Sequence, residues 1–262
     1  MGAKLKNPPV YFTVAQVRFN PILKLADFLP NIQEGFRQAR YPDFTSNTAM
    51  AIKINVKDGQ ATPVPEPQER YVFANAAKTH GFILDQKSLT LQSTDYGDFE
   101  AFSGEFLKGL ARVHEVVELA FTERVGLRYL DQIVPLAGDE LAKYLVPEAF
   151  GLRTILGGDP VHSFCETQTV QHGIKLVSRA LTLSSPMVFP PDLMPLGLEV
   201  AERFKAYTGV HAVLDTDGFF EGRENFSADA VREHLNTIHT VIGRAFRAVA
   251  TPYAFQKWDA MP

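Results

Sequence analysis

A short phrase with an arginine between an aliphatic and an aromatic residue occurs twice in the chain, as Val17-Arg18-Phe19 and as Leu127-Arg128-Tyr129. Each copy belongs to a strand-like run, and each is followed by a proline-containing loop and a helix-like segment. Recurrence of a local pattern in the same structural order is typical of a repeated architectural unit. The phrase therefore predicts two related halves and indicates no particular chemistry.

The first half begins with a predicted strand and a predicted helix. Residues 10–19 are rich in Val, Tyr, Phe and Thr, which favours a strand. Apolar residues between 25 and 36 then recur at helical spacing. Asp27 is the predicted N-cap, which leaves Pro30 in the first turn, where proline is tolerated.

Antiparallel strands and a long helix are predicted to complete this half. Alternation over 50–57 predicts a strand with one wet face, which Asp58-Gly59 ends. Three prolines in 60–68 predict an extended loop. Asp98 is the predicted N-cap of a helix with a clear apolar stripe. The short strands predicted between the loop and this helix cover 71–76, 82–84 and 88–93.

The second half repeats this order approximately. A strand is predicted at 122–134 and a helix at 139–145. Segment 198–207 fits a helix or a strand equally well. Ser227 is the predicted N-cap of the longest helix, whose apolar stripe continues to Thr251-Pro252. Further strands are predicted at 163–171, 174–183 and 210–215.

The predicted fold class is α+β, with long amphipathic helices packed on antiparallel sheet. The N-terminal α+β half covers 1–121 and the C-terminal half covers 122–262, and we expect the two to pack as one globular unit. The second half is interpreted as a degenerate copy of the first, because no single offset aligns both the strand phrases and the long helices.

Composition sets limits on the class of protein. With 262 residues, of which 45% are hydrophobic and 21% charged, the chain can bury a large core. A formal net charge of -4 makes a nucleic-acid partner unlikely but does not exclude a local basic cluster. One cysteine, no long apolar stretch and no secretory leader predict a cytoplasmic protein without disulfides or membrane association.

Three segments resemble one known family: residues 8–22, 123–135 and 234–246. Members share a strand ending in an RF-like pair, a central GLRY-type strand and a C-terminal helix with a leucine, a histidine and a phenylalanine. The chain is similar to this sporadically distributed family of uncharacterised prokaryotic proteins, which has no assigned activity. Sporadic distribution often accompanies mobile elements or defence loci, so the resemblance implies an accessory role in such a locus. The matching positions are Arg18, Phe19, Gly126 to Tyr129, Leu235, His239 and Phe246.

Three arginines are candidate ligand-binding residues. If the two repeated strands lie side by side, Arg18, Arg124 and Arg128 project from the same face. Guanidinium groups bind phosphate and carboxylate bidentately, so this cluster predicts a small anionic ligand. The alternative is that the arginines lie on a solvated face or pair with carboxylates, among them Glu123, Asp131 and Glu199.

His239 is the fourth candidate ligand-binding residue. It lies five residues after His234 on the predicted helix, which separates the two rings by about 140° around the axis and prevents joint metal binding. One interpretation is a boundary residue whose ring nitrogen bonds a neighbouring element. A pH-sensitive or catalytic histidine is the other, and it requires a carboxylate partner.

Other chemistry-bearing residues have simpler explanations. Asp217-Gly218 near His211 is better interpreted as a turn than as part of a metal site. Cys165 is better interpreted as structural than as a nucleophile. Phosphate-loop, dinucleotide, GxSxG and HExxH patterns are absent from the sequence, so no cofactor, metal or catalytic residue is predicted.

Two function classes remain. The first is a non-enzymatic binding protein for a partner protein or a small anionic ligand. The second is a metal-independent hydrolase or nucleotide-processing enzyme whose polar residues converge only in the fold. Because no nucleophile or phosphate loop is recognisable, the sequence favours the binding protein.

Overall fold

The computed structural model describes residues 5–57, 60–156, 161–186 and 189–260, and a nine-stranded sheet forms its centre. The strands are β1 Val10–Phe19, β2 Asp43–Lys57, β3 Gln60–Ala74, β4 His80–Asp85, β5 Ser88–Ser93, β6 Phe121–Ile133, β7 His162–Gln171, β8 Ile174–Ser184 and β9 Val210–Asn225. The helices are α1 Leu25–Gln38, α2 Phe99–Val117, α3 Arg153–Leu156, α4 Glu202–Lys205, α5 Ala228–Val249 and α6 Pro252–Ala260. Short 3₁₀ turns cover Leu141–Lys143 and Pro147–Phe150.

All neighbouring strands in the sheet run antiparallel, in the order β2-β3-β4-β5-β1-β6-β9-β8-β7. Each half of the chain therefore places its first strand at the centre and its last strand next to it. Long helices follow the last strand of each half, α2 after β5 and α5 after β9. The predicted α+β class is confirmed.

The two strands that carry the repeated phrase are direct neighbours at the centre. Val17 lies opposite Val125 and Ala15 opposite Leu127, so the apolar residues of both strands share one face. Arg18 lies opposite Arg124 on the other face. Because side chains alternate along β6, each of its residues belongs to one of the two faces of the sheet, and different segments of the chain pack on these faces.

The first face is covered by α1, α2 and α5. Their apolar stripes pack on buried side chains of the central strands and form the main core. Asp98 caps α2 by accepting a hydrogen bond from the amide of Ala101 at 2.8 Å. Ser227 caps α5 in the same way through Ala230, at 3.3 Å. Both predicted caps and both long helices are thus confirmed.

The second face is partly covered by residues 189–206. Apolar side chains of this segment, including Phe189 and Phe204, pack on Tyr11 and Phe12. The side-chain amide of Gln92 bonds the backbone of Leu196 at both ends, accepting from its nitrogen at 3.1 Å and donating to its oxygen at 2.5 Å. The end of this face around Arg18, which is exposed, is not covered by the segment.

The prediction of a loop at the proline-rich stretch 60–68 is wrong, because these residues form the first part of β3. In the ladder with β2, Pro63, Pro65 and Pro67 lie opposite Ile54, Ile52 and Met50. Prolines two residues apart have their nitrogens on the same edge of a strand, so they are tolerated where that edge has no partner. The alternating spacing of the prolines was therefore compatible with an edge segment.

The turn predicted at Asp217-Gly218 is also wrong, because both residues lie inside β9. A Cβ atom on Gly218 would lie 2.7 Å from Cγ2 of Ile238 and 3.1 Å from Cδ1 of Ile242, both on α5. The glycine is needed for close approach of the helix to the sheet, a role that sequence cannot distinguish from turn formation.

Several predicted boundaries differ from those observed. The first helix begins at Leu25 after Lys24, which places Asp27 in its first turn and Pro30 inside it. Only a 3₁₀ turn forms within 139–145, where Pro147 follows closely. The undecided segment 198–207 contains the short helix α4. Strand β2 begins before the predicted segment 50–57, and Asp58-Gly59 lies outside the described residues. Among the described helices, none has the length and apolar character needed to cross a bilayer.

Candidate ligand cavity

A cavity of about 980 Å³ opens on the helical side of the sheet, between the start of β1, the end of β6 and the helices α2 and α5. Most of its wall surface is apolar, although its lining also includes carboxylates and two arginines. Such a combination is characteristic of small-molecule sites. The lining residues that matter for its chemistry are Tyr96, Phe99, Glu100, Tyr129, Asp131, His239, Arg244 and Arg247.

Two tyrosines and a histidine form a hydrogen-bonded chain along the wall. The hydroxyl oxygens of Tyr96 and Tyr129 lie 2.9 Å apart, and the Tyr129 hydroxyl lies 3.2 Å from Nδ1 of His239. Three elements contribute one member each: the β5–α2 turn, β6 and α5. Gly97, with φ of 69°, supplies the left-handed conformation that this turn requires.

The ring of His239 is held by stacking. It lies parallel to the ring of Phe99, with 4.0 Å between centroids and 2° between planes. Burial is the main cause of a lowered pKa for His239; Glu100 opposes this shift and Arg247 adds to it. The imidazole is therefore held towards its neutral form, in which one ring nitrogen accepts a hydrogen bond.

Asp131 lies in the same wall, two residues after Tyr129 on β6 and on the same face of the sheet. Its side chain is buried, with the residue 6% exposed. Burial alone raises the pKa of this carboxyl to about 7, since no described partner offsets it. Asp131 thus changes charge near neutral pH inside an apolar cavity.

The tyrosines remain protonated over the same range. Burial is the largest cause of a raised pKa for both Tyr96 and Tyr129. Both hydroxyl groups are consequently protonated at neutral pH, within the hydrogen-bonded chain that they form with His239. The cavity combines a Tyr–Tyr–His hydrogen-bonded chain with a buried carboxyl group whose pKa is about 7, and Glu100, Arg244 and Arg247 also line it.

The structure places the four predicted site residues on two sides of the sheet. His239 lies in the cavity, whereas Arg18, Arg124 and Arg128 project from the opposite face. All three arginines lie on one face as predicted, but only Arg18 and Arg124 are opposite each other, whereas Arg128 lies opposite Val14, four residues along β1 from Arg18. Whether any of the four binds a ligand stays a prediction.

Arg128 is engaged by two carboxylates. Its Nε and Nη2 donate to the two oxygens of Asp215 at 2.7 Å each, and its Nη1 donates to Asp192 at 2.6 Å. Arg179 donates to the same Asp215 at 3.1 Å. These bonds use most of the donors of Arg128 and tie the segment that contains Asp192 to the sheet.

Arg124 is less completely paired. Its guanidinium lies 4.4 Å from the ring centroid of Phe219 and donates to Gln16 at 3.2 Å, while Asp217 is 3.7 Å away. Burial is the main cause of its lowered pKa. A Cβ atom on Gly126 would lie 2.7 Å from Nη1 of Arg124, so the glycine of the GLRY phrase makes room for this side chain.

The carboxylates considered as arginine partners lie elsewhere. Glu123 pairs with Arg223 at 2.6 Å, and Asp131 faces the cavity. Glu199 is 4.0 Å from Lys78. His234 also lies apart from the cavity lining, stacked on Phe220 and bonded to Glu224 at 2.9 Å.

Sequence reasoning missed Asp131 as a cavity residue, although one pattern pointed to it. The period-two alternation that places Val125, Leu127 and Tyr129 on the core face also places Asp131 there. A carboxylate on an otherwise apolar strand face is a candidate functional residue. Tyr96, in a turn, had no comparable pattern.

Comparisons with protein-family models, curated proteins and solved structures gave no match.

Proposed function

We propose that the protein is a non-enzymatic binding protein that takes a small molecule into the cavity beside His239. The observation that carries this proposal is the position of Asp131, a buried carboxyl group without a described partner in an apolar cavity of about 980 Å³. Small-molecule sites commonly have volumes of about 300–1,000 Å³ and a few convergent polar groups.

The chemistry of the walls favours an apolar molecule that carries a cationic nitrogen. An ammonium group next to the buried carboxylate of Asp131 forms a charge-assisted hydrogen bond, which is stronger at a buried position than in water. Tyr129 and His239 offer further hydrogen bonds to a polar substituent. Phe99 and Phe246 provide aromatic surface for the apolar body. The anionic ligand predicted from Arg18, Arg124 and Arg128 would bind on the opposite face of the sheet, where most donors of Arg128 are already bonded to Asp215 and Asp192.

Three naphthalene compounds test this preference by isothermal titration calorimetry. They are 1-naphthylmethylamine, 1-naphthalenemethanol and 1-naphthoic acid, which share one apolar body and differ in the polar group. We expect the amine to bind most tightly at pH 8, where Asp131 is ionised, and to weaken at pH 6.

A matched pair of variants identifies the carboxylate. Asp131→Asn should weaken binding of the amine by roughly 10- to 100-fold, because a hydrogen bond to a charged group is worth about 1.5–3 kcal/mol. Asp259→Asn, an exposed carboxylate at the rim, should leave the affinity within about twofold. Equal affinity for the amine and the acid, or no effect of Asp131→Asn on a folded protein, contradicts the proposal.

The same groups support a second function, general acid–base catalysis on the bound molecule. A carboxyl group with a pKa of about 7 is suited to proton transfer at neutral pH, and the Tyr–Tyr–His chain can relay a proton. Hydrolysis of 1-naphthyl acetate tests it, since this ester has the same apolar body. If the protein hydrolyses the ester and His239→Gln abolishes this activity, the result favours an enzyme. If the ester is hydrolysed no faster with the protein than in buffer alone, esterase activity is excluded.

We also infer that the two halves are degenerate copies of one unit. The inference is supported by the adjacent pairing of β1 with β6 and by the equivalent positions of α2 and α5 after the last strand of each half. In that interpretation the cavity lies between equivalent helices, where their non-equivalent side chains, Phe99 and His239, stack on each other.

A further inference from the structure

Strand β7 forms one edge of the sheet and lacks the usual protections of an edge. Its ten residues include no lysine, arginine or proline, and Glu166 is its one acidic residue. Charged residues and prolines are the common means by which edge strands avoid pairing with other chains. At the opposite edge, β2 carries Lys53 and Lys57, and β3 beside it carries three prolines.

Two large apolar side chains of β7 are exposed. Phe164 is 58% exposed and Val170 is 69% exposed. Both residues lie on the strand face that carries Glu166, opposite Leu181 and Lys175 of β8. Exposed single apolar residues are normal for a monomer, but two on an unprotected edge strand offer apolar surface to a pairing strand.

The order of side chains along β7 is complementary to itself. Phe164, Glu166, Gln168 and Val170 share one face of the strand, opposite Leu181, Arg179, Val177 and Lys175 of β8. If two copies of β7 pair antiparallel about a two-fold axis at Thr167, Phe164 of each copy lies opposite Val170 of the other. In the same register Glu166 lies opposite Gln168, an amide that donates to a carboxylate.

Neighbouring registers are less favourable. In such a dimer the two-fold axis is perpendicular to the sheet. One residue must then lie directly opposite its own copy, because directly opposite residues have their side chains on the same face. An axis at Glu166 places two carboxylates directly opposite each other, which is destabilising. An axis at Gln168 places Glu166 opposite Val170 and leaves Phe164 beyond the end of the pairing. Of these three axes, only the one at Thr167 places apolar residues opposite apolar residues and polar residues opposite polar residues.

We propose that two copies of this chain associate through β7, joining their sheets edge to edge into one continuous antiparallel sheet. The unprotected edge, the exposed side chains of Phe164 and Val170 and the self-complementary register support a second copy as the occupant. This inference does not depend on the cavity or its ligand. The pairing buries the side chains of Phe164 and Val170 and satisfies the outward backbone groups of β7.

Sedimentation velocity on the full chain tests the association. We expect a dimer at micromolar concentration, and Phe164→Lys should weaken it by about tenfold or more by placing a charge against Val170 of the second copy. Leu23→Lys is the matched control, since Leu23 is 81% exposed and lies in the turn after β1, a strand separated from β7 by three others, and it should leave the dimer unchanged. Circular dichroism checks that both variants are folded.

Disulfide trapping tests the register independently of affinity. In a Cys165→Ser background, Thr167→Cys should give a covalent dimer, because residues facing each other across antiparallel strands have Cα atoms about 4.5–5.5 Å apart. Thr169→Cys should not, because its copies lie about 14 Å apart in this register. Both threonines are exposed, so neither change disturbs the core.

Three results would overturn the proposal. The first is a wild-type protein that stays monomeric throughout the micromolar range. The second is a dimer that Phe164→Lys does not weaken. The third is cross-linking of Thr169→Cys as readily as Thr167→Cys. A monomer that instead binds an added strand-forming peptide at β7 would also reject the second copy as the occupant.

Discussion

Ionisation of Asp131 has a cost in the folded protein that is absent from the unfolded chain. Its pKa of about 7 compares with an ordinary value of 3.8. Between these two values the unfolded chain has released the proton and the folded protein still holds it. The free energy of unfolding therefore falls as pH rises from about 4 to 7 and is level above that range, with a total loss of at most about 4 kcal/mol.

Asp131→Asn should accordingly raise stability at pH 8 and change it little at pH 4, because asparagine resembles the protonated acid. Urea denaturation at both pH values measures the difference, with Asp259→Asn as the exposed control. A gain of equal size at pH 4 and pH 8 would show that the carboxylate is not the cause. A residue that reduces stability while lining a cavity is typical of a functional site.

Gly126 provides the second prediction at this scale. In Gly126→Ala, the new methyl group occupies the space of the Arg124 guanidinium, which then leaves Phe219 and Gln16. Since the displaced atoms are the end of a long side chain, we expect the stability to change by less than about 1 kcal/mol. The measurement is the NMR resonance of the Arg124 Nε–H group, and Arg124→Lys identifies it. An unchanged resonance would contradict the assigned contact.

Among the elements, the packing of α5 on β9 depends on the absence of a side chain at Gly218. Gly218→Ala places a Cβ atom 2.7 Å from Cγ2 of Ile238, a buried residue of α5, so the isoleucine side chain or the helix must shift. We expect a loss of about 1–3 kcal/mol, as for overpacked cores. Urea denaturation measures it.

Gly104→Ala on α2 is the matched control for that substitution. A Cβ atom at Gly104 meets no other atom within 4 Å, so the change only improves helix propensity and should stabilise by up to about 1 kcal/mol. If Gly218→Ala is as stable as the wild type, the contact between α5 and β9 is looser than a 2.7 Å approach implies.

The sequence predicted elements well where a period extended over many residues. Periodicity located α2, α5 and β6, and it assigned Arg124 and Arg128 to the face opposite Tyr129. It failed where one residue type has two structural roles. The prolines of β3 predicted a loop but lie in a strand at an edge without a partner, and Gly218 predicted a turn but allows close contact between β9 and α5. Strand neighbours are set by long-range pairing, so the meeting of Tyr96 with Tyr129 had no local pattern.

At the scale of the whole molecule, the continuous sheet should make the two halves unfold together. Trp258, the only tryptophan in the chain, is buried against Phe246 and Phe255 in the second half. Leu84→Ala, at a buried position of β4 in the first half, should cost about 2–5 kcal/mol. Because β1 and β6 share a ladder, the urea midpoint reported by Trp258 fluorescence should shift by the same free energy as that reported by circular dichroism.

The exposed substitution Leu23→Lys is the control and should shift neither midpoint appreciably. A Trp258 transition that stays in place while the circular dichroism transition shifts would mean that the halves unfold separately.

The alternation along β6 also determines how this protein can change over evolution. Tyr129 and Asp131 line the cavity, whereas Arg128 and Leu130 lie on the opposite face, so consecutive residues have unrelated structural roles. Inserting or deleting one residue before them would exchange the two sets, bringing an arginine into the cavity and a carboxylate under the 189–206 segment. Such changes in length should therefore be eliminated by selection within β6, while substitutions at single positions allow either face to acquire a new specificity without altering the other.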